Sequence, residues 1–279
     1  MKANEPSRTA MMVARQRAAH QLLDQGSILC DPFAMKILGE GEEEVLQFAR
    51  AHPLASIGRL FTAARSRIAE DALAAAVAGG VRQIVILGAG LDTFALRSGY
   101  GEREVRIYEV DHPATQAWKR ERLHAAQIAI SPCLVFVPVD FERDDLGEAL
   151  AGAGFERRST AFFTWLGVVP YLTEEAVGGT LEYIASIPRS EVVFDYLEPP
   201  QTFSGEIGDL EKQRTEQLKK MGERSVSRFE PAGMAAMLRA HGFSAMEDLS
   251  FEEIRSRFGG GVQGLASGEA GLHVVDAKQ

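Results

Sequence analysis

A strand-like run ends in Leu87-Gly88-Ala89-Gly90-Leu91-Asp92-Thr93. Two glycines at this spacing let the backbone take positive φ and come close to a ligand. On their own they mark only a tight turn, so the neighbouring residues decide what the turn holds. A dinucleotide fingerprint carries a third small residue at the next spacing. Here that position is Thr93, preceded by Asp92. A carboxylate there opposes a pyrophosphate and suits a cofactor that has an amino group and no phosphate. About 20 residues further on, an acidic residue is expected to accept ribose hydroxyls. Val105-Arg-Ile-Tyr-Glu-Val-Asp111 offers two, Glu109 and Asp111, with Asp111 nearer the loop that begins at Pro113. The next run closes in Val139-Asp140-Phe141. A carboxylate there can accept a hydrogen bond from an adenine amino group, and Phe141 can contact the ring. Asp140 also reads as a helix N-cap. Arg65 and Arg67 precede the glycine turn. Arginine grips a carboxylate through paired hydrogen bonds, and the amino-acid end of S-adenosylmethionine carries one. Acids at consecutive strand ends, a glycine turn and an upstream arginine together describe a site for S-adenosylmethionine.

The elements that must position these groups are legible too. Runs at 83–87, 105–110, 134–139, 160–166 and 191–196 are short and rich in β-branched or aromatic residues. Helical stretches at 113–127, 142–151 and 173–186 separate them. Strands alternating with helices predict an α/β fold, a mostly parallel sheet with helices on both faces. The runs alternate little in polarity, as strands buried on both sides do. The first eighty residues read as helical at 9–24, from Asp31-Pro32, at 42–50 and at 59–78, ending at Gly79-Gly80. This divides the chain into an N-terminal helical cap, 1–80, and an α/β core, 81–279. A highly charged helix at 209–221 breaks the rhythm, and 197–228 reads as an insertion, either a solvated helix or a lid. A helix at 231–241 and strands at 243–249 and 271–275 follow, with Gly259-Gly260-Gly261 and Gly264 as a turn between the strands.

The whole chain supports this picture. Of its 279 residues, 46% are hydrophobic and 25% charged, as in ordinary globular domains. A net charge of −9 argues against a nucleic-acid partner, which needs a basic face. Cys30 and Cys133 match no metal-ligand spacing, so no metal is expected. The polar N-terminus has no signal-peptide core, and no apolar run approaches the roughly 20 residues that cross a bilayer. The reading is a cytoplasmic protein without a membrane partner.

The chain resembles the leucine carboxyl methyltransferase family, in its bacterial branch of S-adenosylmethionine-dependent methyltransferases. The resemblance covers about residues 7–200. It rests on Asp31-Pro32-Phe33, Arg65 with Arg67, Leu87–Thr93, Tyr108-Glu-Val-Asp-His-Pro113, Val139–Phe141 and Gly167-Val-Val-Pro-Tyr-Leu172. It implies a class I methyltransferase, Rossmann-like fold and S-adenosyl-L-methionine as cofactor. It implies that Arg65 holds the cofactor carboxylate and that Gly88 and Gly90 pass along the methionine portion. Asp111, rather than Glu109, then takes the ribose, and Asp140 with Phe141 lies by the adenine. Arg17 is the nearest match to a further N-terminal arginine. One departure stands out. Many relatives carry Ala-Glu before the glycine of the fourth strand's end, whereas this chain has Trp165-Leu166 before Gly167. Asp92 or a backbone carbonyl is the expected replacement for that carboxylate.

The implied activity is O-methylation, at a carboxyl or hydroxyl, of a small-molecule acceptor. The protein-phosphatase carboxyl methylation of the best-known members is not carried over, because the matching residues hold the cofactor. A carboxylate acceptor needs no general base, while a hydroxyl benefits from one. The six histidines (His20, His52, His112, His124, His241 and His273) occur singly and none is singled out; His112 reads as a cap. Trp165 and Tyr171 are the candidates for the acceptor pocket, with core packing the competing role. Two rivals share the fold: an NAD(P)-dependent oxidoreductase, disfavoured by Asp92 and Thr93, and a non-catalytic cofactor-binding module.

Overall fold

The computed structural model describes residues 7–51, 55–100, 105–141, 143–220, 227–262, 264–265 and 268–279. The polar stretch 1–6, His52 and residues 221–226 of the 197–228 insertion lie outside the described residues.

Seven strands form one sheet: β1 (Gln83–Leu87), β2 (Arg106–Asp111), β3 (Leu134–Pro138), β4 (Ala161–Trp165), β5 (Glu191–Leu197), β6 (Ala245–Ser250) and β7 (Leu272–Lys278). Their order is β3-β2-β1-β4-β5-β7-β6. The first five are mutually parallel, and β7 runs antiparallel to both β5 and β6. The order reverses beside β1, between β2 and β4. In open α/β sheets the crevice beyond the strand carboxyl ends at such a point takes the ligand. The glycine turn is the loop that leaves β1 there.

Helices cover both faces. One face carries α4 (Ala55–Ala78) and α11 (Phe251–Phe258), whose Leu60, Ala64, Leu73 and Ile254 pack with Ile84, Ile107, Phe162 and Val193. The other carries α7 (Leu146–Gly152), α8 (Glu174–Ala185) and α10 (Pro231–Ala240). Their Leu150, Leu181 and Leu238 meet Val85, Phe163 and Phe194. Local chemistry starts these helices where they begin. His112 caps α6 (Pro113–Ala125), with Pro113 in its first turn. Thr173 caps α8, and Ser250 with Glu253 forms a reciprocal capping box on α11.

The N-terminal helices α1 (Arg8–Leu23), α2 (Ala34–Leu38) and α3 (Glu42–Ala51) share a separate cluster built on Ala14, Ala18, Ile37, Leu38 and Val45. Asp31 does not start a helix directly. Its carboxylate accepts the Phe33 N–H across a turn, and α2 begins at Ala34. The glycine-rich 259–261 segment is a short 3₁₀ turn that follows α11, a helix the strand-turn-strand reading did not anticipate. The short α5 (Phe94–Arg97) was likewise not anticipated. The charged insertion contains α9 (Gly205–Lys220). No helix among the described residues is long and apolar enough to cross a membrane.

Candidate active site

A cavity of about 930 Å³ opens over the carboxyl ends of β1, β2, β4 and β5. Its floor is the glycine turn. The Gly88 and Ala89 N–H groups donate to the Val110 carbonyl at 2.8 and 3.1 Å, which bends the chain sharply out of β1. Gly88 has φ +66° and Gly90 +49°, conformations that favour glycine. A Cβ on Gly88 would also collide with Val168.

Asp111 ends β2 on the cavity wall. Its Oδ2 accepts the Gly90 N–H at 2.5 Å, and its Oδ1 accepts the His112 N–H at 2.6 Å. Burial pushes this carboxyl upward in pKa, while the two N–H groups pull it back. Glu109, its rival in the sequence, lies deeper in the same strand. It is fully buried, does not line the cavity, and holds Lys119 Nζ at 2.6 Å. Burial pushes the Glu109 carboxyl up to about 7 against the attraction of Lys119. Asp140 and Phe141 line the cavity beyond β3, with Arg143 Nε 3.7 Å from the Asp140 carboxylate.

Arg65 comes to the opposite wall from α4. Its Nη1 donates to Asp195 Oδ2 at 2.9 Å, and Asp195 Oδ1 accepts the Gly167 N–H at 2.5 Å. Its Nε has no hydrogen-bond partner, although buried. Arg67, two residues on, is exposed and pairs with Asp71 on the surface.

Trp165 is a correction. It does not line the cavity; Thr164 and Leu166 do. Side chains alternate across a strand, so Trp165 faces the other side of the sheet. There it is fully buried, 6.1 Å from the Phe194 ring. Tyr171 is half-buried and does line the cavity.

Asp92, one expected replacement for the missing carboxylate, lines the cavity but is already engaged. Its Oδ1 accepts the Phe94 N–H at 2.6 Å and its Oδ2 holds Arg17 Nη2 at 2.9 Å. Burial alone would raise its pKa, but Arg17, with Lys119, Arg97 and the Phe94 N–H, outweighs it and holds Asp92 at about 2. Arg17 is tied further to Thr93 Oγ1 at 3.4 Å and Asp31 at 3.7 Å. The residue that sequence reasoning missed is Asp195. Its signal was a lone carboxylate inside the apolar run Val192-Val-Phe-Asp-Tyr196.

The residues present fit S-adenosylmethionine. The turn lets a ligand approach the backbone, Asp111 lies beside it on the cavity wall, and the buried Arg65 has an Nε donor without a partner. A parallel sheet with an antiparallel β7 and this crevice define a class I methyltransferase fold. Solved structures with this fold include a protein of Bordetella parapertussis described as a "possible exported protein" (TM-score 0.53, 15% identity, 97% of this chain and 94% of that one). The CurJ carbon methyltransferase is another (TM-score 0.51, 16% identity, 97% and 66%). The leucine carboxyl methyltransferase family model matches residues 10–185, and the chain belongs to that family. It is 32% identical to the "Putative S-adenosyl-L-methionine-dependent methyltransferase YktD" of Bacillus subtilis, over 92% of this chain and 93% of that protein. A Mycobacterium bovis protein of the same description is 31% identical over 71% of this chain and 67% of its own. The chain is an S-adenosylmethionine-dependent methyltransferase, which sets aside the nicotinamide and non-catalytic alternatives.

Proposed function

We propose that the enzyme methylates an oxygen, carboxyl or hydroxyl, of a small acceptor with an apolar body. The supporting observation is the size and lining of the cavity. Sites for small ligands run from roughly 300 to 1,000 Å³, and about 930 Å³ lies at the upper end of that range. Away from Asp111 and Asp140, its walls include the apolar Met12, Val13, Phe48, Phe61, Phe203 and Leu210, interleaved with polar Thr9, Gln16 and Gln213. Those residues come from α1, α3, α4 and the insertion, so the acceptor chamber forms where the N-terminal helices meet α9. We read α9 as its lid, because Ile207, Leu210 and Glu211 of that helix line the cavity.

The cofactor supplies a methyl group on a sulfonium, an in-line donor to an oxygen lone pair. The protein's contribution is binding and alignment. Asp111 would hold the nucleoside, while the glycine turn and Arg65 would hold the methionine end. The apolar chamber excludes water from the line of transfer. A carboxylate acceptor brings its own charge and needs no base; a hydroxyl must give up its proton.

Transfer of labelled methyl from S-adenosylmethionine to a panel of apolar carboxylic acids, phenols and hydroxylated compounds tests the reading. A peptide with a C-terminal leucine is included in the panel. Label on a small acceptor is expected. Label on the peptide alone would overturn the small-molecule assignment.

A further inference from the structure

We propose that Asp195 is the anchor for the cofactor's α-ammonium group, so that Arg65 and Asp195 together form a clamp for a zwitterion. This rests on the reading of the cavity as the S-adenosylmethionine site.

The two residues arrive from separate elements, α4 and β5, and both line the cavity. Asp195 is 2% exposed and Arg65 7%. Their side chains meet at 2.9 Å through Arg65 Nη1 and Asp195 Oδ2. A buried ion pair adds little to stability compared with apolar packing of the same volume, so a pair on a ligand-binding wall calls for another role. An amino-acid end carries a carboxylate and an ammonium on one carbon. A cation and an anion held side by side match both groups at once.

Neither partner is saturated. A carboxylate offers about four acceptor sites and a guanidinium five N–H donors. Asp195 accepts from Arg65 and the Gly167 N–H, and Arg65 donates to Asp195 while its Nε has no partner. The strand register explains the placement. Trp165 pairs with Phe194, so Asp195 lies beside Leu166, on the face opposite the Trp165–Phe194 contact. Gly167, at φ +75°, completes the fit: a Cβ there would lie 2.8 Å from Arg65 Nη2.

The other carboxylates on the cavity wall are engaged differently. Asp92 holds Arg17, and Glu211 holds Arg228 at 2.6 Å. Asp111 takes two backbone N–H groups below the turn, and Asp140 stands beyond β3. Asp195 is the carboxylate paired with the arginine that would take the cofactor's own carboxylate.

The test is calorimetric titration of the unaltered enzyme and Asp195→Asn with three ligands. These are S-adenosylhomocysteine, its analogue lacking the α-amino group, and methylthioadenosine, which lacks the whole amino-acid end. The unaltered enzyme should bind S-adenosylhomocysteine about 10- to 100-fold more tightly than the deaminated analogue, the worth of a charge-assisted hydrogen bond. Asp195→Asn should lose that preference while keeping its affinity for methylthioadenosine. Equal affinity of the unaltered enzyme for the first two ligands overturns the proposal, whatever the variant does. So does equal weakening of all three by Asp195→Asn, because that marks a structural role. Failure of the unaltered enzyme to bind either S-adenosylhomocysteine or methylthioadenosine overturns the underlying reading of the cavity as well.

Discussion

Arg17 of α1 reaches Asp92 of the glycine turn, with 2.9 Å between Nη2 and Oδ2. This contact joins the N-terminal helices to the loop that leaves β1. Asp31, just before α2, reinforces it by accepting from Thr93 Oγ1 at 2.5 Å. The helical cap is thereby part of the site's framework. Removing one partner of a buried ion pair costs about 3–5 kcal/mol, since the other is left desolvated. Arg17→Met should lower the melting temperature by several degrees and weaken S-adenosylhomocysteine binding together. A variant that melts and binds like the parent would show the bridge to be dispensable.

Gly88→Ala adds a Cβ that meets Val168 in a backbone conformation costing about 1–2 kcal/mol for an L-residue. Cofactor affinity should drop at least tenfold by titration. Val168→Ala in the same chain should restore only part of it, because it relieves the collision and leaves the backbone strain. Full recovery would mean that the positive φ carries no cost.

Asp111→Asn retains shape and removes charge. Its effect should appear equally with S-adenosylhomocysteine and methylthioadenosine, because both contain the ribose. We expect a loss of about 10- to 100-fold for each. Loss with the first ligand alone would move Asp111 away from the sugar.

Trp165 and Tyr171 should separate cleanly. Truncating a buried Trp costs about 3–5 kcal/mol, so Trp165→Ala should destabilise the fold. A milder Trp165→Phe should leave the acceptor KM unchanged. Tyr171→Phe sits on the cavity wall and should alter the acceptor KM with little change in melting temperature. A changed acceptor KM for Trp165→Phe would contradict its position on the far face.

His273 predicts a pH dependence of stability. Its Nδ1 lies 2.8 Å from Asp248 and its Nε2 2.8 Å from Glu198, and its ring stacks on Tyr196 at 4.8 Å. Tyr196 also donates to Asp248. Burial would lower the His273 pKa, but the two carboxylates outweigh it and raise it above its ordinary value of 6.5. A raised histidine pKa contributes stability that is complete below pH 6.5 and fades as pH rises through the folded-state value. Denaturant midpoints should therefore fall on the alkaline side, and His273→Gln should flatten that part of the profile. An identical slope in the variant would assign the effect to other groups.

The sequence by itself determined the five parallel strands, three of the helices between them and the cofactor turn. Each of these is written in a short window: apolar runs of strand length, capping residues, and glycines followed by Asp92-Thr93. Asp111 and Asp140 were legible as acids at consecutive strand ends, and Arg65, with Arg67, as an arginine upstream of the turn. Resemblance, not spacing, favoured Asp111 over Glu109. Only the tertiary structure showed that Glu109 is buried against Lys119 of α6: the two acids share one face of β2, and of the pair only Asp111 ends the strand at the cavity. Alternation across β4 decided Trp165, one residue away from a place on the wall. Asp92 looked free in the sequence and is held by Arg17, 75 positions away. Asp195 and Arg65, 130 positions apart, meet only because β5 and α4 pack together. Local pattern can name a group, but its partner is chosen by packing between distant segments.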